Sequence, residues 1–273
     1  MVTEGGPRDI GATSANVARI YDYFLGGKDN FAVDRDAAER ITAAMPLVPA
    51  IARQNRAFVR RVVRTLAQEY GIRQFIDVGA GLPVRQSVHD AAREVAPDAR
   101  VVYVDNDPVV CSHGRALLED DTTGMVEADL RQPGQIIDHP LTRSLIDFGQ
   151  PFGLLMTAVL HFVPDEGDPQ AVIARFREVM APGSCLVISH GTLETGPDDE
   201  RVQRHTEVYQ QASAQLTLRS IDAVRALFDG FEFLEPGLTW ISQWRPDAGT
   251  GANGVSETLR GAVGRKPADQ ARG

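Results

Sequence analysis

Three short apolar runs, each ending in an acid, constrain this chain more than anything else in it. They are Phe75-Ile76-Asp77-Val78-Gly79-Ala80-Gly81, Val101-Val102-Tyr103-Val104-Asp105-Asn106-Asp107 and Val126-Glu127-Ala128-Asp129-Leu130. A strand buried on both faces reads as a near-continuous apolar run. In an open parallel sheet, ligands lie outside the carboxyl ends of such strands. Three successive acid-tipped strands, about 25 residues apart, therefore outline a nucleoside-binding crevice.

The rest of the chain agrees with that architecture. From Ile51 to Tyr70 runs a helix with Phe58, Val59, Val62, Val63, Leu66 and Tyr70 on one face, arginines on the other and Gly71 as the stop. Ahead of it, Ser14 is expected to cap a helix striped by Val17, Ile20, Tyr21, Phe24 and Leu25. A second short helix follows Asp34 and ends near Pro46 and Pro49. After Gly71 strands at 74–78, 101–105, 124–128, 152–157 and 184–189 alternate with helices near 85–95, 108–118, 133–146, 169–180 and 199–214. Asp107-Pro108 and Asp168-Pro169 read as caps followed by a first-turn proline, and Ser220 opens a helix closed by Gly230. Phe231–Leu234 and 259–265 read as a final antiparallel pair joined by a loop over 246–258. The expected fold is α/β, a doubly wound, mostly parallel seven-stranded sheet with a C-terminal antiparallel hairpin. Residues 1–13 read as an arm, 14–70 as a helical flap across the strand ends, 71–267 as the core of one structural domain and 268–273 as a tail.

Bulk composition narrows the function. A net charge of −9 argues against a partner held through bulk electrostatics, nucleic acid above all. The longest stretch without a formal charge, 148–163, contains Gly and Pro and is too short to span a bilayer. The N-terminus shows no secretion signal, so a soluble cytoplasmic protein is expected. Cys111 and Cys185 are isolated, form no CxxC and read as buried free thiols, so no metal site is expected.

The acids carry the ligand argument. Gly79 and Gly81 let the backbone approach a ligand where a side chain would clash. A nicotinamide site would prefer G-x-G-x-x-G with a pyrophosphate on the helix N-terminus. Here Leu82-Pro83 stands in the turn, and Asp77 would repel a diphosphate. S-adenosylmethionine has no phosphate and carries an ammonium and a sulfonium, which tolerate carboxylates. Asp105, with Asn106 beside it, has the chemistry to accept from both ribose hydroxyls, while Asp107 reads first as a helix cap. Asp129 followed by Leu130 suits an adenine, the carboxylate taking the exocyclic amine and the leucine the ring face; a loop cap is its bland alternative. Tyr23 lies off the apolar stripe of its helix and is expected to reach the site, whereas Tyr21 is expected in the core. Arg56 is placed, with Asn55, ahead of the long helix, to pair with the cofactor's carboxylate or simply to be solvated. His161, in Leu160-His161-Phe162-Val163-Pro164-Asp165 after the fourth strand, is a candidate general base or a structural histidine, and His190 has similar standing.

These segments carry a resemblance. With Ala18-Arg19-Ile20-Tyr21-Asp22-Tyr23-Phe24-Leu25-Gly26-Gly27-Lys28-Asp29-Asn30-Phe31 and Ala52-Arg53-Gln54-Asn55-Arg56-Ala57-Phe58, the chain resembles the class I S-adenosylmethionine-dependent methyltransferases. Within them it is similar to an actinobacterial family first catalogued as a domain of unknown function, over roughly residues 14 to 267. The resemblance implies that Asp77, Gly79, Ala80 and Gly81 form the methionine-binding turn, Asp105 the ribose acid and Asp129 the adenine acid. Pro83 departs from the usual third glycine of that turn. It also implies S-adenosylmethionine as cofactor and S-adenosylhomocysteine as product. The 160–165 stretch is similar to the Leu-His-x-x-Pro-Asp of many small-molecule methyltransferases and lacks the Asn/Asp-Pro-Pro-aromatic signature of nucleic-acid amino-methyltransferases. A small-molecule acceptor and in-line methyl transfer are expected. A non-catalytic cofactor-binding regulator and a nicotinamide-dependent oxidoreductase stand as alternatives.

Overall fold

A computed structural model of the protein describes residues 14–84, 86–193, 216–247 and 259–268. Strands β1 (Gln74–Val78), β2 (Arg100–Asp105), β3 (Thr123–Glu127), β4 (Gly153–Thr157) and β5 (Cys185–Leu193) lie parallel. Beyond them come β6 (Arg219–Ser220), β7 (Glu232–Phe233), β8 (Thr239–Trp240) and β9 (Leu259–Arg265). The main path runs β3-β2-β1-β4-β5-β9-β7, with β9 antiparallel to both β5 and β7. The expected parallel sheet with an antiparallel C-terminal addition is what forms. The short β6 beside β5 and β8 beside β9 were not expected; two-residue strands leave no periodicity to read.

Strand order reverses between β1 and β4, and β1 pairs with β2 in a register that sets Val78 opposite Val104. The loops after β1, β2 and β4 therefore meet at one point on the carboxyl edge, where such sheets bind ligands. Both faces of the sheet are covered. Phe75, Tyr103, Met125, Leu155 and Val187 pack against α3 (Val48–Glu69), α4 (Val88–Arg93) and α5 (Pro108–Leu117), with both free cysteines buried among them. Ile76, Val104, Val126, Leu154 and Ile188 pack against α6 (Pro133–Ile137), α7 (Pro140–Leu145) and α8 (Pro169–Val179) on the other side. The helix expected over 133–146 is thus two: Pro140 disfavours helical backbone at His139, which instead caps α7 by accepting from the Leu141 N–H at 3.2 Å. Ser220 caps α9 (Ile221–Ala226) as expected. The helix expected at 199–214 and most of the 246–258 loop lie outside the described residues.

The N-terminal elements are α1 (Val17–Phe24), α2 (Ala32–Ala44) and the first turns of α3, which share a small core of Ile20, Phe24, Ala37, Ala38, Ile41, Val48 and Ala52. Three boundaries differ from the sequence reading. Asn16, not Ser14, caps α1, accepting from the Ala18 N–H at 2.7 Å. Asp34 sits inside the first turn of α2, where it accepts from the Phe31 N–H at 2.8 Å. Pro49 stands in the first turn of α3, where its missing N–H costs nothing, so Asn55 and Arg56 lie inside that helix and not before it. Arg19 donates through Nε to Asp34 at 2.8 Å, both side chains buried, and its Nη1 lies 3.9 Å from the Asp107 carboxylate. That ion pair fastens α1 and α2 to the turn after β2. Among the described residues no helix is long and apolar enough to cross a membrane.

Candidate active site

A cavity of about 620 Å³ opens between the carboxyl ends of the strands, α1 and the α2–α3 corner. The size is within the range of sites for drug-sized ligands. Asp77, Gly79, Ala80, Gly81, Asp105, Asn106, Asp129, Leu130 and Arg56 all line it, as does His161. Tyr23 does not: its hydroxyl donates to Glu39 at 3.3 Å on the exposed side of α1. Tyr21 lines the cavity in its place. The apolar stripe of α1 faces inward, so the tyrosine on the stripe is the one that reaches the site.

The turn after β1 is closed by backbone bonds. The N–H groups of Gly79 and Ala80 donate to the Val104 carbonyl at 2.8 and 3.0 Å. Gly79 has φ +73°, and a Cβ there would lie 2.3 Å from Val159 Cγ2. Gly81, at φ +69°, has open space where its Cβ would stand. Both conformations are ones that L side chains avoid. Asp105 ties this turn to the next: Oδ2 accepts from the Gly81 N–H at 2.9 Å and Oδ1 from the Asp107 N–H at 3.0 Å. Asp107 caps α5, accepting from the Val109 N–H at 2.7 Å.

Asp77 is the exception among these acids. It is 4% exposed, and among the described residues no hydrogen bond reaches its carboxylate. Burial pushes its carboxyl up to about 6, against the pull of Arg56 and with a further push from Asp105. A buried carboxylate open to a cavity and lacking a donor suits a cationic ligand group. Burial likewise raises Asp105, with its backbone donors opposing. Asp129 is different: it accepts from both Nε and Nη2 of Arg131 and from the Arg131 N–H, and that hydrogen bonding holds its carboxyl below the usual range. The acid expected to take an adenine amine is paired with an arginine that lines the same cavity.

The β4 side is held by a hydrogen-bond network that the sequence reading did not foresee. Ala158 has φ +52° and donates its N–H to the Ser189 carbonyl and hydroxyl oxygens at 3.0 and 2.9 Å. Ser189 Oγ donates to Asn55 Oδ1 at 2.6 Å, Asn55 Nδ2 to the Tyr21 hydroxyl at 3.2 Å, and that hydroxyl to the Ala52 carbonyl at 3.0 Å. One chain of hydrogen bonds thus joins α1, α3, β5 and the β4 turn. Its sequence signal is Asn55 itself, an amide spaced with Ala52, Phe58 and Val59 on an otherwise apolar helical stripe.

His161 is buried, and its Nδ1 has no hydrogen-bond partner among the described residues. Burial, with His190 and Arg219 adding to it, holds its pKa well below that of a free imidazole. His190 does not line the cavity; its ring lies 5.5 Å from that of His161, and burial holds it down to about 4. Its Nδ1 bonds the Gly191 carbonyl at 2.7 Å and its Nε2 accepts from Arg219 at 3.0 Å. Arg219, buried, also donates to the Leu160 and Val163 carbonyls at 3.0 and 2.7 Å and to Asp165 at 2.7 Å. The Pro-Asp of the stretch after β4 therefore serves as an anchor for Arg219, which fixes the loop carrying His161.

The cavity presents a carboxylate without donors, a glycine cradle and a second acid at the tip of β2. These fit an ammonium-bearing nucleoside and not a diphosphate. Comparisons with known proteins agree. A family profile described as S-adenosyl methyltransferase matches residues 3–267. The crystal structure of a DUF574-family protein from Streptomyces avermitilis MA-4680 is 40% identical with a TM-score of 0.89, covering 94% of this chain and all of that one. A methyltransferase candidate from Thermobifida fusca YX is 36% identical with the same TM-score, over 97% of this chain and all of the other. The arsenite methyltransferase of Halobacterium salinarum is 27% identical over 185 residues, 65% of this chain, which spans 43% of that enzyme's length. The chain belongs to the S-adenosyl methyltransferase family, enzymes that take S-adenosylmethionine as cofactor.

Proposed function

We propose that the protein transfers a methyl group to an oxygen of a small molecule. The observation that carries this reading is the pairing, in one cavity, of the donor-free Asp77 carboxylate with the uncharged, buried His161. When bound, S-adenosylmethionine supplies a methyl on a sulfonium, whose carbon–sulfur bond breaks toward sulfur as the acceptor oxygen's lone pair takes the carbon. Asp77 accepts from the ammonium of the methionine end and Arg56 holds its carboxylate. Gly79, Ala80 and Gly81 leave room for that chain. Asp105 and Asn106 receive the ribose, and Asp129 with Leu130 the adenine once Arg131 releases the acid. Residues 14–70 act as a flap over the 71–267 core, α1 and the α2–α3 corner excluding water from the transfer.

His161 takes the acceptor's hydroxyl proton. Its low pKa leaves it unprotonated at neutral pH, with a ring nitrogen free to accept, but also makes it a weak base. Arg219 and His190 act as positioning residues. In-line transfer needs mainly alignment, so the base contributes a share of the rate and not all of it. His161→Gln is expected to slow product S-adenosylhomocysteine release by about 10²-fold or more while leaving S-adenosylhomocysteine affinity within about twofold. Unchanged turnover in that variant, with a hydroxyl acceptor in hand, would rule out His161 as the base.

A further inference from the structure

The charged groups of the cavity are segregated. Arg56, Asp77, Asp105, Asp129 and Arg131 lie along the strand tips and the helix face above them. The remaining wall, from α1, the α2–α3 corner, the loop after β4 and the approach to β6, is contributed among the described residues by side chains such as Ile20, Phe24, Met45, Leu47, Phe162 and Leu218. Its polar members are already used: Asn16 caps α1, and Tyr21 and Asn55 bond each other. Among the described side chains that line the cavity, the buried polar atom without a partner is His161 Nδ1. Leu47 is 51% exposed, one of two large apolar side chains left so open among the described residues, and it belongs to this wall.

From this we infer that the acceptor is an uncharged, largely apolar molecule with one phenol-like hydroxyl, its apolar body against the α1 and Leu47 wall and its hydroxyl on His161. The inference rests on the cofactor occupying the strand-tip end. Burying an ionised carboxylate or phosphate against such a wall, whose side chains named above are apolar, carries a heavy desolvation cost. A base of low pKa also favours a hydroxyl that ionises near about 10, as phenols do, over an aliphatic alcohol. In the transfer the oxygen–hydrogen bond gives its proton to His161 as the oxygen–carbon bond forms, and the proton then leaves to solvent.

The test uses 2-naphthol as probe on the full-length protein saturated with S-adenosylhomocysteine, followed by titration calorimetry. S-adenosylhomocysteine is titrated first; if it fails to bind, the cofactor reading falls and not this one. With it bound, 2-naphthol is expected to saturate the site at least about tenfold more tightly than 2-naphthoate. It should also bind more tightly than 2-methoxynaphthalene, which donates no hydrogen bond, and His161→Phe should abolish that second preference. Leu47→Asp, at a half-exposed position where folding is spared, should weaken 2-naphthol about fivefold or more and leave S-adenosylhomocysteine unchanged. No saturable naphthol binding, equal or tighter naphthoate binding, a preference over the methyl ether that survives in His161→Phe, or indifference to Leu47→Asp would each overturn the inference.

Discussion

Replacing Asp77 by asparagine should make the protein more stable and its cofactor binding worse. Asp77 is buried, receives no hydrogen bond from the described residues, and has its carboxyl raised from 3.8 to about 6. Because the folded-state pKa lies above the unfolded one, the native state holds the proton more firmly between those values. Stability contributed by the site is therefore present in acid and is lost as pH rises toward and past 6. That rise corresponds to about 3 kcal/mol of destabilisation at neutral pH, at about 1.36 kcal/mol for each pH unit. The asparagine amide is isosteric with the carboxyl group and uncharged, so the Asp77→Asn variant should exceed wild type by about that amount at pH 7 to 8. The excess should shrink by roughly 1–1.5 kcal/mol at pH 5, where wild-type Asp77 is mostly protonated. In a chain of this size the gain at pH 7 corresponds to a melting temperature higher by on the order of 5 °C or more. Binding moves the other way. Loss of a charged hydrogen-bond partner for the ammonium costs about 1.5–3 kcal/mol, or roughly ten- to hundredfold in S-adenosylhomocysteine affinity. Wild-type affinity should itself weaken as pH falls below about 6 and the carboxylate takes a proton. Urea unfolding of the ligand-free proteins at pH 5 and 7.5, with calorimetry at the same pH values, tests both signs. A stability difference that does not depend on pH, or an unchanged affinity, would refute the assignment of Asp77.

Other perturbations separate the parts of the site. Gly79→Ala places a methyl 2.3 Å from Val159 Cγ2 on backbone at φ +73°; a loss of about 2–4 kcal/mol in urea unfolding, with cofactor binding abolished, is expected. Arg131→Ala frees Asp129 from an exposed partner, and since such pairs hold by about 1 kcal/mol or less, S-adenosylhomocysteine should bind up to about fivefold more tightly. Arg219→Met leaves His190 and two carbonyls without their donor and Asp165 without its cation. About 1–3 kcal/mol of stability should go with it, the cost of buried acceptors left without a donor since Asp165 itself is exposed, and turnover should fall further than S-adenosylhomocysteine affinity in calorimetry.

The parallel sheet was legible because buried strands leave unbroken apolar runs, and the strand-tip acids because they interrupt those runs at fixed points. Asp77, Asp105 and Asp129 come together because crossovers in an α/β sheet put every strand's carboxyl end on one edge. What periodicity could not resolve was which polar group on an apolar face turns toward a ligand. Tyr21 and Tyr23 differ by about 200° around a helix, and choosing between them required knowing that the stripe of α1 faces the cavity as well as the core. Arg219 was hidden for another reason: its partners Leu160, Val163, Asp165 and His190 are far from it in sequence, and two of the four are backbone carbonyls, which leave no residue-type signal. The Arg131–Asp129 pair follows from adjacency and was readable in principle, but the acid alone drew attention. Pro140 was visible too, and the split between α6 and α7 follows from it directly.

A crystal structure of the protein grown with S-adenosylhomocysteine addresses the central claim without intermediaries. The ribose hydroxyls should sit on Asp105, the adenine amine on Asp129 with the Arg131 side chain turned away, and the amino group against Asp77. An adenosine lying elsewhere, or a cavity closed by protein side chains with Asp129 still on Arg131, would contradict it.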